Sequence, residues 1–173
     1  MIRRIAWFER RFDFDLPVWM YPNVLERLRG TPARLEDALG ALAPELLTRR
    51  LDDKWSMQEH AGHLLDLGAL DLARLEDYEA GRDQLQPADL QNRRTHEANH
   101  NAKPIESILA EFRAERALFV KRLDAYDEEL VLRVAVHPRL KTPMRLLDFA
   151  FFIAEHDDHH LAAISELRRG FET

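Results

Sequence analysis

The sequence predicts an all-α protein: a four-helix bundle with long connections between helices 2–3 and 3–4 and an aromatic N-terminal arm. Three observations lead there. Gly (6) and Pro (8) are scarce among 173 residues, which argues against a loop-rich sandwich or barrel. Four segments carry apolar residues at spacings of three and four. Capping and stop residues bracket several of those segments. The length suits one domain, residues 23–170, preceded by the arm over residues 1–22.

The arm holds Trp7, Phe8, Phe12, Phe14, Trp19 and Tyr21. So much aromatic surface is expected to be buried, with the arm laid over the core or over a partner subunit. A first helical region spans about 23–42. Gly30-Thr31-Pro32 is expected to break it, because Gly can end one helix, Thr can cap the next, and Pro suits a first turn. The second helix opens at Ser56-Met57-Gln58-Glu59, a capping box, and is expected to stop at Gly81. Residues 81–103 are polar and aperiodic, a connection with room for a short helix. The third helix runs from Pro104 to about Tyr126, with Ile105, Ile108, Phe112, Phe119 and Leu123 on one face. Residues 127–142 connect again, and the β-branched stretch Val131–Val136 could be extended. The fourth helix is expected to start at Thr142-Pro143 and stop at Gly170. Its seam reads Leu146, Phe149, Ile153, His156, His160, Ala163, Leu167.

Composition excludes several function classes. The chain has no Cys, so disulfides, thiolate metal ligands and Cys nucleophiles are impossible. A net charge of −6 disfavours nucleic acid as a partner. No apolar run approaches the ~20 residues of a membrane span, and residues 1–10 lack a signal-peptide core. A cytoplasmic protein is the expectation. No G-x-S-x-G elbow, P-loop or dinucleotide fingerprint occurs.

The chemistry lies in histidines placed where core residues belong. His156 and His160, four residues apart, project from one helix face about 40° apart. Taken alone, such a pair is more often a surface pair than a metal site. Here it sits on the apolar seam between Ile153 and Ala163. Two buried imidazoles cannot both be satisfied by apolar neighbours, whereas one divalent cation satisfies both. His63 lies on the second helix with Leu67 and Leu70, and a bundle can bring its ring to the same point. Three His ligands with an open position form a catalytic arrangement. His60 and His159 read as surplus. Asp66, Glu59, Glu155, Asp157 and Asp158 are either solvated face charges or groups that orient a ligand ring.

His96-Glu97-Ala98-Asn99-His100 matches the H-E-x-x-H metalloprotease pattern literally. That motif requires an amphipathic helix, and Asp89–Lys103 has almost no apolar residues. It reads as a polar segment that could still lend Asn99 or His100 to a pocket wall.

Trp55-Ser56, His63 eight residues after the Trp, and the late pair His156 and His160 together resemble the DinB/YfiT-like superfamily of bacterial four-helix bundles. Arg27–Leu35, Ile108–Ala117 and Ala154–His160 are similar to this family as well, over about residues 23–168. The resemblance implies a divalent metal, zinc or nickel, on His63, His156 and His160. It also implies a homodimer and transfer or isomerisation chemistry on small molecules with a low-molecular-weight thiol such as bacillithiol or mycothiol. Two other functions fit the same residues. A metal-dependent hydrolase would use metal-activated water and take its base from Asp66, Glu59 or His159. A non-enzymatic, stress-associated dimer would carry a closed metal site.

Overall fold

The computed structural model describes residues 4–172. Met1, Ile2 and Arg3 of the arm lie outside the described residues. Four long helices carry the fold: α1 (Tyr21–Leu39), α3 (Met57–Glu79), α5 (Ile105–Asp124) and α7 (Leu146–Glu172). Between them lie the short helices α2 (Pro44–Leu47), α4 (Arg93–Glu97) and α6 (Glu128–Val131), and one antiparallel hairpin, β1 (Val134–His137) with β2 (Thr142–Arg145). The result is the all-α four-helix bundle expected from the sequence, with a small sheet added.

The helices pack in the cyclic order α1, α5, α3, α7, so α1 and α3 face each other diagonally. Each diagonal step needs a long connection, which is why residues 40–56 and 125–145 are not tight turns. The neighbours α3 and α7 carry the candidate histidines.

Two apolar clusters fill the interior. One gathers Leu28, Leu75, Tyr78, Phe119, Leu123 and Phe149; the other gathers Leu35, Met57, Leu64, Ile108, Phe112 and Ile164. A polar layer lies between them. Asp157, fully buried, accepts from the Arg116 guanidinium (2.9 Å) and the Thr31 hydroxyl (2.7 Å). Burial raises the Asp157 carboxyl above its ordinary range, and the Arg116 charge opposes that.

Several boundaries follow local chemistry. Ser56 and Glu59 form the capping box: the Ser hydroxyl accepts from the Glu59 amide (3.1 Å), and the Glu carboxylate accepts from the Ser56 amide (2.8 Å). Gly81 takes φ +64 just beyond α3, a left-handed stop.

Three expectations are overturned. Gly30-Thr31-Pro32 does not end a helix, and α1 runs straight through with Pro32 inside it. An interior proline costs about 3 kcal/mol locally. Leu28, Thr31 and Leu35 on the same face are fully buried, and that packing outweighs the lost amide. Thr142-Pro143 does not start the last helix but lies in β2. Val136, opposite Pro143, gives its carbonyl to the Leu85 amide and its amide to the Asp83 carbonyl. The proline therefore faces a residue that needs no donor from it. Helix α7 begins four residues later, where the Asp148 carboxylate accepts from the Arg145 amide (3.0 Å). It continues past Gly170, because Phe171 packs against the second cluster beneath the Arg49 guanidinium (4.6 Å).

The arm packs on its own bundle through Trp7 and Phe12. Trp7 and Phe12 lie against Phe152 of α7 at 5.0 and 5.2 Å between centroids. Arg10 clamps the arm to Glu155, and Arg4 reaches Glu166 (3.2 Å). No helix among the described residues is long and apolar enough to cross a membrane.

Candidate metal centre

His63 projects from the second turn of α3. His156 and His160 project one turn apart from the middle of α7. The spacing chosen by the sequence brings the three rings together. One ligand-capable atom from each lies within 4.8 Å of the other two. The Nε2 atoms of His156 and His160 are 3.1 Å apart. Either one ring donates a proton across this gap, or both lone pairs serve one cation. Tetrahedral zinc with Zn–N near 2.05 Å would place its nitrogens about 3.3 Å apart, close to the observed spacing.

Burial keeps these rings neutral, the form that can ligate. It lowers His63 to about 4, and it holds His156 and His160 well below the usual imidazole range, aided by the charge of His63 on His156 and of His156 on His160. Trp55 covers one side, 4.7 Å from the His63 ring and stacked on His160 at 6.1 Å. Trp7 covers the other side, 4.8 Å from His156.

Neighbours fix the ring orientations. His63 Nδ1 lies 3.0 Å from the Thr95 hydroxyl, which in turn hydrogen-bonds Asp66. Read as a chain, the imidazole donates to the hydroxyl and the hydroxyl donates to the carboxylate. That tautomer leaves the His63 Nε2 lone pair free. Burial pushes the Asp66 carboxyl up, but hydrogen bonds from His100 and Thr95 hold it below its ordinary value. His160 Nδ1 meets His60 Nδ1 at 2.8 Å. His60 is therefore not surplus: it sits behind His160 as Thr95 sits behind His63.

The other sequence candidates are placed differently. Glu59 is committed to the capping box and to Arg50, and does not line the cavity beside the histidines. Asp66 does not line it either; it lies behind His63 and bonds His100 Nε2 (2.8 Å). His159 does line it, held by the Arg4 guanidinium (2.7 Å) and lowered to about 4 by burial and the nearby Arg4 charge.

The H-E-x-x-H match is not one helix. Helix α4 ends at Glu97, and Asn99 takes a left-handed φ of 48. His96 leans on Trp55 (5.9 Å), while His100 is buried against Asp66. Neither Asn99 nor His100 lines the cavity; the segment contributes Thr95 instead. Sequence reasoning had no signal for Thr95, a lone hydroxyl in a polar stretch.

The histidines open onto a cavity of about 990 Å³ between α3, α7, the arm and the hairpin. Asp71, two turns beyond His63, faces the same space, and burial raises its carboxyl to about 7. Neutral imidazoles grouped at the wall of such a cavity can hold a cation with positions left for a ligand.

Comparisons with known proteins agree with this architecture. The model of the DinB superfamily matches residues 27–164. Among solved structures, YfiT from Bacillus subtilis, described as a probable metal-dependent hydrolase with an unusual four-helix bundle topology, superposes with a TM-score of 0.84. It is 19% identical, over 95% of this chain and 94% of that one. The mycothiol-dependent maleylpyruvate isomerase superposes with a TM-score of 0.67 at 10% identity, over 91% of this chain and 62% of that one. The chain thus spans less than two thirds of the isomerase. No curated protein matches the sequence. At these identities the two structures speak for the fold, and the match over residues 27–164 makes the chain a member of the DinB superfamily.

Proposed function

We propose that this protein is a metal-dependent enzyme acting on small molecules, with a divalent cation, zinc or nickel, held by His63, His156 and His160. The observation that carries the reading is the convergence of three neutral ring nitrogens from two helices, within 4.8 Å, at the wall of a large cavity. Among the described residues this candidate group has three members, which leaves coordination positions for a ligand. A cation held there would supply Lewis acidity, stabilising a thiolate or a hydroxide near neutral pH.

The preferred reaction is transfer of a low-molecular-weight thiol, bacillithiol-like or mycothiol-like, to an electrophilic small molecule. The chain brings no thiol of its own, and the cavity has room for two organic reactants. Three carboxylates near the site are engaged elsewhere, Asp157 with Arg116, Glu166 with Arg4 and Asp66 with His100, while Asp71 on the cavity wall stays available to the hydrolytic reading below. The thiol-dependence in the isomerase's description supports this reading. Trp55 and Trp7 flank the imidazoles, and Thr95 and His60 set their tautomers.

Hydrolysis is the second reading, favoured by the near-complete overlap with YfiT. The intracellular thiols of the first reading place it in the cytoplasm. A homodimer belongs to the same proposal and is checked by sedimentation. The deciding experiment is elemental analysis of unchelated protein, then turnover of a model electrophile with and without added thiols. Thiol-dependent turnover by the metal-loaded protein is expected. Turnover that survives removal of every thiol would move the assignment to the hydrolase, and protein that binds no divalent metal would end both readings.

A further inference from the structure

A second group of side chains in the same cavity holds buried donor atoms without partners. His137, at the end of β1, is 2% exposed. Its Nδ1 accepts the Leu140 amide (3.2 Å), so the ring proton is on Nε2. That Nε2–H is buried and has no hydrogen-bond partner. Arg139, in the turn of the hairpin, also has an unpartnered buried atom, Nη2. Its guanidinium lies between the Phe8 and Phe152 rings at 5.1 and 5.8 Å. Arg74 on α3 is 5% exposed; its Nε donates to the Gln86 carbonyl (2.9 Å), and its guanidinium lies over Phe149 (5.8 Å).

Among the described residues, neither Arg74 nor Arg139 has a carboxylate oxygen within 4.0 Å, unlike Arg116, whose charge Asp157 matches. Asp71 shares the cavity and acts on Arg74 only at longer range. Two guanidinium groups and one N–H therefore face the same space, with His137 Nε2 and Arg139 Nη2 unpartnered and Asp71 too far from either arginine to form an ion pair. Buried donors left this way are costly, and the group that relieves them is an anion. Their walls are aromatic, which suits an anion borne on an apolar body. His137 also sets the distance to the three imidazoles. Its ring rests on Phe152 (5.1 Å), which precedes His156 by one helical turn, roughly 6 Å.

We propose that Arg74, Arg139 and the Nε2–H of His137 form a carboxylate-binding subsite, and that the substrate is a small, largely apolar organic acid. Its carboxylate is anchored at this end while its reactive end reaches His63, His156 and His160. The inference deepens the enzymatic reading above by naming a substrate class, but carboxylate binding itself does not need the metal.

The test is calorimetric titration of chelator-treated protein with hexanoate and with benzoate, so that no cation competes for the carboxylate. Hexylamine and inorganic phosphate serve as comparison probes. Wild type is compared with Arg139→Gln, which removes a charge that makes no hydrogen bond in the fold, and with His137→Asn. The amide of that asparagine can still accept from Leu140 while the Nε2–H is lost. Circular dichroism checks that each variant is folded. Carboxylate binding by wild type, weakened about tenfold or more in either variant and absent with hexylamine, is expected. Equal binding by wild type and Arg139→Gln, tighter binding of phosphate than of either carboxylate, or no carboxylate binding at millimolar concentration would each overturn the subsite. Repeating the titration on a preparation shown to bind no metal separates the two proposals. Loss of carboxylate binding with metal binding intact would sink this one alone.

Discussion

At the scale of single residues, the site depends on pairs in which one side chain fixes another. Thr95 fixes His63, and His60 fixes His160. Partners of this kind typically govern metal affinity by 10–100-fold. Thr95→Val is expected to weaken the bound divalent metal by about that factor, read by competition with a chelator. His160→Ala is expected to abolish stoichiometric metal, and His96→Ala to leave it unchanged, both by elemental analysis. Equal losses from His160→Ala and His96→Ala would mean that the wrong imidazoles were chosen. Asp157 poses a different case: removing it strands the Arg116 charge, itself 5% exposed, in the polar layer. Asp157→Ala is expected to cost about 3–5 kcal/mol in chemical denaturation, since an uncompensated buried charge is far worse than a missing pair.

At the scale of elements, the least regular piece of chain does the closest work. Helix α4 and the turn after it press on α3 where Gly62 leaves room. A Cβ at Gly62 would come within 2.2 Å of the His100 ring. Gly62→Ala is therefore expected to push the 93–102 segment away and carry Thr95 with it. Faster limited proteolysis within that segment, together with weaker metal binding, would show this. Unchanged proteolysis and affinity would mean the segment accommodates the methyl by a small shift. The hairpin acts similarly at the other end of the cavity, since its turn carries Arg139 and its first strand ends on His137.

At the scale of the molecule, burying imidazoles makes the fold sensitive to acid. Burial lowers His60 and His137 to about 3 and His63 and His159 to about 4, and puts His156 and His160 well below 6.5. Between about pH 6.5 and pH 4 the unfolded chain binds protons that the folded chain refuses. Stability therefore falls as pH falls through that window. Asp71 works in the opposite direction: burial raises its carboxyl from 3.8 to about 7, so the folded state holds that proton more tightly. Burial raises Asp157 and Glu115 as well, and three carboxyls against six imidazoles leave the net loss. The thermal midpoint of metal-free protein is expected to drop between about pH 7 and about pH 5. A flat or rising midpoint would contradict this sign.

The sequence alone determined the helices whose apolar spacing is long and whose ends are capped, because those features act within a few residues of one another. Ser56 to Gly81 is the clearest stretch, and the seam through His156 and His160 is equally local. Only the tertiary structure decided where local signals give way to burial: α1 runs through Pro32, and α7 passes Gly170 to seat Phe171. It also decided what crosses between distant segments, such as Thr95 behind His63 and the hairpin facing residues 83–85. Hydrogen bonds and ion pairs across thirty or a hundred residues leave no period in the chain, so no reading of neighbours along it can find them.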